Sequence, residues 1–263
     1  MQDKIIVITG ASMGIGAALA RLVGQHQAIP VVVARSRVEL EAVAAASHPL
    51  ALAIVADVTQ RAEVQRVVAE TLTRFGRIDA WVNNVGRGIT RSVADLTDDD
   101  IDEMVAVNVK SALYGIQAVL PHFQQRGTGH IVNVSSMLGR IPFASQRSAY
   151  SASKAFLNSL AINLRMDLRV AFPKIHVSTV YPGVVATEFG LRALGGGLDS
   201  RNFPGAASPE EIAAVIVDCL QHPRADVYTR PGQHAQVAAY FAAEDVAQVE
   251  AGFAGPPPAR KGS

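Results

Sequence analysis

Tyr150 and Lys154 stand four residues apart in "AYSASKAF" (149–156), a stretch with helical periodicity, so both side chains fall on one face. Two arrangements fit that spacing: an aromatic ring over a lysine stem, or a phenol held beside an ammonium. The second would be chemistry. A free phenol titrates at about pH 10 and is a poor proton donor or acceptor at neutral pH. An ammonium within about 4–6 Å favours the phenolate and draws that value down. Upstream, Ser136 follows the apolar run "HIVNVS" (130–135). Its hydroxyl, at the C-terminal end of a strand, could polarise a ligand oxygen.

The elements that must position these groups are readable as an alternation. "KIIVIT" (4–9), "IPVVVA" (29–34), "LALAIVA" (50–56), "IDAWVN" (78–83), "HIVNVS" (130–135), "IHVSTVY" (175–181) and "ADVYT" (225–229) have strand character. Several are apolar at successive positions, as expected of strands covered on both faces. Helical patterns occupy 15–26, 37–46, 60–75, 98–126, 150–171 and 209–221. Thr97 precedes an acidic turn, and Ser208 precedes Pro209, Glu210 and Glu211, which are helix-start signals. Strands separated by helices predict an α/β fold, a doubly wound Rossmann sheet of seven parallel strands with helices on both faces. One domain is expected over residues 1–252. The Gly-rich segment 188–206 is expected to act as a substrate lid, and the Pro-rich, basic end (253–263) as a flexible tail.

Bulk properties exclude several classes. Net charge is +1 and the basic residues are scattered, which disfavours a nucleic-acid partner. A single cysteine, Cys219, leaves no intramolecular disulfide, and its apolar helical setting reads as a small buried hydrophobe. The seven histidines form no HxxxH or HxH pair, so no metal site is expected. No apolar stretch approaches the roughly 20 residues of a membrane helix and no leader pattern opens the chain. The expectation is a cytoplasmic protein without a membrane or nucleic-acid partner.

"TGASMGIG" (9–16) joins the first strand to the first helix. Gly10, Gly14 and Gly16 let the backbone turn tightly against a pyrophosphate that faces the helix N-terminus. The second strand then ends Ala34, Arg35, Ser36, Arg37, with no acid before Glu39. A ribose diol usually meets an Asp or Glu about 20 residues past the glycines. A guanidinium and a hydroxyl instead suit a 2′-phosphate, to which Ser12 could add another hydroxyl. NADP(H) is therefore expected in preference to NAD(H).

Taken in order, "TGASMGIG", "ADV" (56–58), "NNVG" (83–86), "VNV" around Asn108, "VSS" (134–136), "YSASK" (150–154) and "YPGVVAT" (181–187) resemble the short-chain dehydrogenase/reductase family, over nearly all of residues 1–230. The resemblance implies an oxidoreductase that transfers a hydride between a nicotinamide and a carbonyl or secondary alcohol. It implies a tetrad of Asn108, Ser136, Tyr150 and Lys154, with Tyr150 as general acid/base and water held by Asn108 on a proton path. Cofactor contacts are implied for Gly10, Ser12, Met13, Gly14, Ile15, Gly16, Arg35, Ser36, Asp57, Val58, Asn83, Val85, Gly86, Tyr150, Lys154, Pro182, Gly183, Val185 and Thr187. In that set Asp57 and Val58 hold the adenine edge, Asn83 lines the cofactor channel and Thr187 bonds the carboxamide.

Three departures from the family pattern stand out. Val85 replaces the usual Ala, Met13 stands where many NADP-preferring members carry Lys or Arg, and the step from Ser136 to Tyr150 is one residue longer than usual. The last keeps Ser135 as an alternative to Ser136. The substrate pocket is expected from residues 137–147, 183–206 and 84–89, with Leu138, Phe143, Gln146 and Phe189 lining it. This apolar neighbourhood suits a hydrophobic ketone or alcohol, while Arg140, Gln146, Arg147 and Arg192 could receive a charged group or merely solvate the rim. By analogy with the family, helices 98–126 and 150–171 imply a homodimer or homotetramer. The competing function is a non-catalytic NADP-binding redox sensor or scaffold, which would have no need of all four tetrad groups.

Overall fold

Each β-branched run forms a strand. The computed structural model describes residues 1–253, and the expected tail beyond Phe253 lies outside the described residues. Strands β1 (Ile5–Thr9), β2 (Ile29–Ala34), β3 (Leu52–Val55), β4 (Ala80–Asn83), β5 (Gly129–Val134), β6 (Ile175–Tyr181) and β7 (Asp226–Tyr228) pair in parallel. Their order is β3-β2-β1-β4-β5-β6-β7. The chain therefore runs outward from β1 to β3, then crosses back to place β4 on the other side of β1. The C-terminal ends of β1 and β4 flank that reversal, which is where open α/β sheets bind ligands.

The helices are α1 (Gly14–Gln25), α2 (Arg37–Ser47), α3 (Arg61–Phe75), α4 (Asp98–Val105), α5 (Ser111–Arg126), α6 (Ser148–Leu168), α7 (Pro209–Gln221), α8 (Gln233–Ala242) and α9 (Val246–Ala251). Alternate residues of each strand serve opposite layers. Ile6 and Ile8 pack with Leu19 and Val23 of α1 and Ile212 and Ile216 of α7. Ile5 and Val7 pack on the other face with Val64 and Val67 of α3, Ile116 and Phe123 of α5, and Ala161 of α6. Full burial of such a side chain is worth about 1.5–3 kcal/mol, so the sheet edge that carries the site rests on two dry layers. Cys219 is fully buried in the first layer.

Both expected helix starts are capping boxes. Thr97 and Asp100 exchange bonds at α4, and Ser208 and Glu211 do so at α7, with Pro209 in the first turn. The expected single helix over 98–126 is interrupted. Residues Ala106–Lys110 form a π turn between α4 and α5, and Asn108 sits on it. Its amide accepts from the Arg87 backbone N–H at 2.9 Å and donates to the Arg87 carbonyl at 3.0 Å. That long-range clamp accompanies the widened turn, and π turns are frequent at functional sites. Helices α8 and α9 were outside the sequence expectation. The first is short, alanine-rich and preceded by Gly232 in a left-handed conformation in place of a side-chain cap.

Candidate active site

The glycine turn has the shape that its residue types require. Gly10 and Gly14 carry φ of +66° and +53°, values that side chains disfavour. A Cβ on Gly16 would lie 2.3 Å from the Gly10 carbonyl oxygen. Helix α1 has no side-chain N-cap and no acid in its first turn, so its first amides remain available to an anion. Asn84 braces the turn: its amide donates to the carbonyls of Thr9 and Gly10, both at 3.1 Å, and its backbone N–H bonds the Thr9 hydroxyl. Ser12, Met13 and Ile15 lie on this turn and are partly or fully exposed. Thr187 packs against it, with its methyl 3.3 Å from where a Gly14 Cβ would sit, and Val185, Pro182 and Gly183 lead to it from β6.

At the end of β2, Arg35 and Ser36 are exposed, and among the described residues Arg35 has no ion-pair partner, whereas Arg37 pairs with Glu41 at 3.2 Å. At the end of β3, the Asp57 carboxylate accepts from the backbone N–H and the hydroxyl of Thr59, and Val58 is buried. A turn that a Cβ would fill and uncapped amides fit the pyrophosphate of a dinucleotide.

One cofactor expectation needs correcting. The Asn83 side chain does not line a channel. It is buried in the sheet, where its amide donates to Asn133 at 2.9 Å and accepts from the Trp81 indole at 2.7 Å. The neighbouring Asn84, one residue along and therefore on the opposite side of the strand, reaches the glycine turn instead. Val85 and Gly86 follow beside it. A Cβ on Gly86 would sit 3.3 Å from both the Lys154 Nζ and the Asn108 Oδ1, so the missing side chain leaves those two polar atoms facing one gap.

Tyr150 and Lys154 share one face of α6, and both are more than nine-tenths buried. The Lys154 Nζ lies 5.8 Å from the centre of the Tyr150 ring and donates to the Val134 carbonyl at 3.0 Å. Ser136 begins a short helical turn just beyond β5, its hydroxyl accepting from the Leu138 N–H at 3.1 Å. The Ser135 hydroxyl is committed elsewhere, donating to Asn158 of α6 at 2.6 Å. The longer connection between Ser136 and Tyr150 thus leaves Ser136 beside the phenol and turns Ser135 away.

Electrostatics here differs from the sequence expectation. Burial pushes the Tyr150 phenol up to about 12, opposed by the nearby Ser136 hydroxyl and the Arg147 guanidinium. Burial also draws the Lys154 ammonium down to about 8. The ammonium does not bring the phenol into the neutral range, because it shares the same dry wall and is bonded to a backbone carbonyl. The phenol is therefore held protonated, and Lys154 titrates close to neutral pH.

Of the expected pocket residues, Leu138 and Phe189 pack with Tyr150, Ile89, Met104 and Leu194. The Phe189 ring meets the Tyr150 ring edge-on at 5.4 Å. Gln146 is exposed on the rim. Phe143 turns the other way and packs with Tyr181, Val237 and Phe253, because α8, which the sequence did not announce, and Phe253 supply an apolar seat for it. Segment 188–206 is tied to the loop that follows β4 by Thr90 N–H to Leu194 carbonyl and Leu194 N–H to Gly88 carbonyl bonds of 2.8 and 2.9 Å. Among the described residues, no group of three His, Cys, Asp or Glu side chains is placed to hold a metal ion, and no helix is long and apolar enough to cross a membrane.

Comparison with known proteins gives a consistent result. The family model described as short chain dehydrogenase matches residues 4–193. An uncharacterised oxidoreductase of Staphylococcus saprophyticus subsp. saprophyticus is 34% identical over 227 residues, covering 85% of this chain and 93% of that protein. An alcohol dehydrogenase from the archaeon Thermococcus sibiricus, complexed with 5-hydroxy-NADP, superposes with a TM-score of 0.76 at 25% identity, covering 86% of this chain and 96% of that one. A 3-ketoacyl-(acyl-carrier-protein) reductase from Brucella melitensis, complexed with NADH, does so with a TM-score of 0.76 at 27% identity, covering 87% and 98%.

Proposed function

Because the chain belongs to the short-chain dehydrogenase/reductase family and is an oxidoreductase of that family, we propose that it is an NADP(H)-dependent reductase of a small carbonyl compound, with Tyr150 as its proton donor. The observation that carries the proposal is the convergence of the Tyr150 phenol, the Ser136 hydroxyl and the Lys154 ammonium beyond β5, opposite the glycine turn. The Gly10–Gly16 turn, Thr187 beside it and Arg35 at the end of β2 would hold the NADPH, which would supply a hydride for the carbonyl carbon; with one proton the products would be the alcohol and NADP⁺.

This chain's own residues handle the oxygen. Ser136 donates a hydrogen bond to the carbonyl oxygen and polarises it. Tyr150 delivers the proton as charge builds on that oxygen. A phenol kept protonated by burial still holds its proton at neutral pH and can pass it to the far more basic alkoxide oxygen that reduction creates. Lys154, buried and cationic below about pH 8, offsets the phenolate left behind. Asn108 acts as a positioning residue: its amide is committed to the Arg87 backbone and so fixes the Gly86 wall of the gap. Segment 188–206, with Phe189 on the Tyr150 ring, is read as the lid that keeps water from this exchange.

Preference for NADP(H) rests on Arg35, exposed and unpartnered among the described residues, with no acid beside it. The relatives' printed cofactors include both an NADP derivative and NADH, so the preference is a property of this strand end. Arg35→Asp is expected to lower the NADPH-to-NADH ratio of kcat/KM by about 10–150-fold, the value of one charge-assisted phosphate contact. Steady-state kinetics with both cofactors checks this, and an unchanged ratio refutes the assignment. A homodimer or homotetramer completes the reading, supported by Phe156, Ile162 and Met166, exposed together on α6. A cytoplasmic setting is supported by the single, buried, unpaired cysteine.

A further inference from the structure

One cation near Tyr150 lacks the partner that its neighbours have. Arg87 pairs with Glu103 at 2.7 Å, Arg91 with Asp100 at 3.3 Å, Arg192 with Glu188 at 2.8 Å and Arg201 with Asp199 at 2.8 Å. Arg147, three residues before Tyr150, has no carboxylate partner among the described residues. Its guanidinium makes one long hydrogen bond, from Nη1 to the Ile89 carbonyl at 3.3 Å. Burial lowers its pKa, the mark of a cation drawn partly out of water without a counter-charge. Leaving a guanidinium in that state costs stability unless an anion completes it.

A second group points the same way. The Thr90 hydroxyl is buried and has no hydrogen-bond partner among the described residues. Both atoms face one place on segment 188–206. A Cβ on Gly197 would lie 3.1 Å from the Arg147 Nη2 and 3.2 Å from the Thr90 Oγ1, and 2.6 Å from the Gly190 carbonyl oxygen, so the 190–197 turn packs directly over both groups. On the inner side, a Cβ on Gly88 would lie 3.1 Å from the Arg147 Nη1 and 3.0 Å from the Phe189 ring. Phe189 in turn meets the Tyr150 ring. The guanidinium is thus flanked by two glycines, carries unused donors in a planar fork, and stands next to the wall of the proton donor.

We propose that Arg147 and Thr90 form the anion-recognising end of the substrate pocket, and that the carbonyl substrate carries a carboxylate, making it an oxo acid reduced to a hydroxy acid. This rests on the carbonyl-reductase reading and deepens it. The fork of Arg147 accepts a planar two-oxygen group in bidentate fashion, and the Thr90 hydroxyl donates to one of those oxygens. Arg147 is a specificity-determining residue here. The reaction itself remains with Tyr150 and Ser136.

The test compares acids with their own methyl esters: pyruvate, acetoacetate and levulinate against methyl pyruvate, methyl acetoacetate and methyl levulinate, with NADPH and the full chain. In the wild type, at least one acid is expected to exceed its ester in kcat/KM by about tenfold or more, and in Arg147→Met that acid-to-ester ratio is expected to fall by about 10–100-fold. Arg147→Lys keeps the charge without the fork and should fall between the two, and Thr90→Val should lower the ratio by a smaller factor. These milder variants carry the test if Arg147→Met does not fold. A merely structural role for Arg147 would lower acid and ester together and leave the ratio unchanged, which overturns the proposal. Esters reduced as well as or better than every acid by the wild type would overturn the anion subsite and leave carbonyl reduction standing. Turnover of none of the six compounds would count against both.

Discussion

Replacing Tyr150 by Phe is expected to lower kcat for carbonyl reduction by about 10³-fold, within the range that a positioned general acid contributes, and to leave NADPH affinity near that of the wild type. The substitution removes only the hydroxyl. The ring that packs against Phe189 and sits 5.8 Å from the Lys154 ammonium is retained, so the hydrophobic cluster around it should persist. The loss should appear in kcat and not in KM, because proton delivery is made in the transition state and not in substrate binding. Single-turnover measurement of NADPH oxidation, with cofactor binding followed by fluorescence, separates the two quantities. A variant with near-normal kcat would remove Tyr150 from the mechanism. One that merely lost cofactor affinity would make it a binding residue.

Lys154→Met is expected to cost about 10²-fold in kcat, again on the scale of a group that stabilises charge formed during proton transfer. Its pH dependence carries more information. The ammonium is cationic below about pH 8 and neutral above it, and the working form is the cation. The kcat/KM of the wild type should therefore be level at lower pH and fall as pH rises through about 8, while the phenol, held near 12 by burial, adds no break in the neutral range. The variant should lack that fall. Folding gives an independent control. Burial penalises the charged form in the folded state, so the wild type gains stability as pH rises from about 8 toward the unfolded-chain value. Lys154→Met should accordingly not melt lower than the wild type at neutral pH. A rate that rises through pH 8, or the same break in the variant, would contradict the role given to Lys154.

Sequence pattern carried the frame far. The seven strands were legible because β-branched residues are apolar on consecutive positions, as strands covered on both faces require. The glycine turn was legible because positive φ and close approach leave few other residues possible there. What escaped the sequence depends on contacts distant in the chain. The π turn at Asn108 accompanies an amide that grips the backbone of Arg87, and no local periodicity announces it. Choosing Asn83 over Asn84 for the channel was a matter of which side of β4 each faces, a one-residue question of register. Phe143 was misplaced because its partners, Val237 of α8 and Phe253, were not foreseen. The spacing of Tyr150 and Lys154 was right as geometry but incomplete as electrostatics, since the degree of burial reverses the direction of the phenol's shift. Thr90 gave no sequence signal; its buried hydroxyl, unpartnered among the described residues, is visible only once the chain is folded.

The most direct measurement is NADPH oxidation by the purified protein over a panel of ketones, aldehydes and oxo acids, with Tyr150→Phe run beside it. The predicted result is carbonyl-dependent loss of NADPH absorbance with at least one compound, faster with NADPH than with NADH, and nearly abolished in Tyr150→Phe. The contradicting result is a protein that binds NADPH yet oxidises it with no carbonyl in the panel, or one whose turnover survives the loss of the Tyr150 hydroxyl.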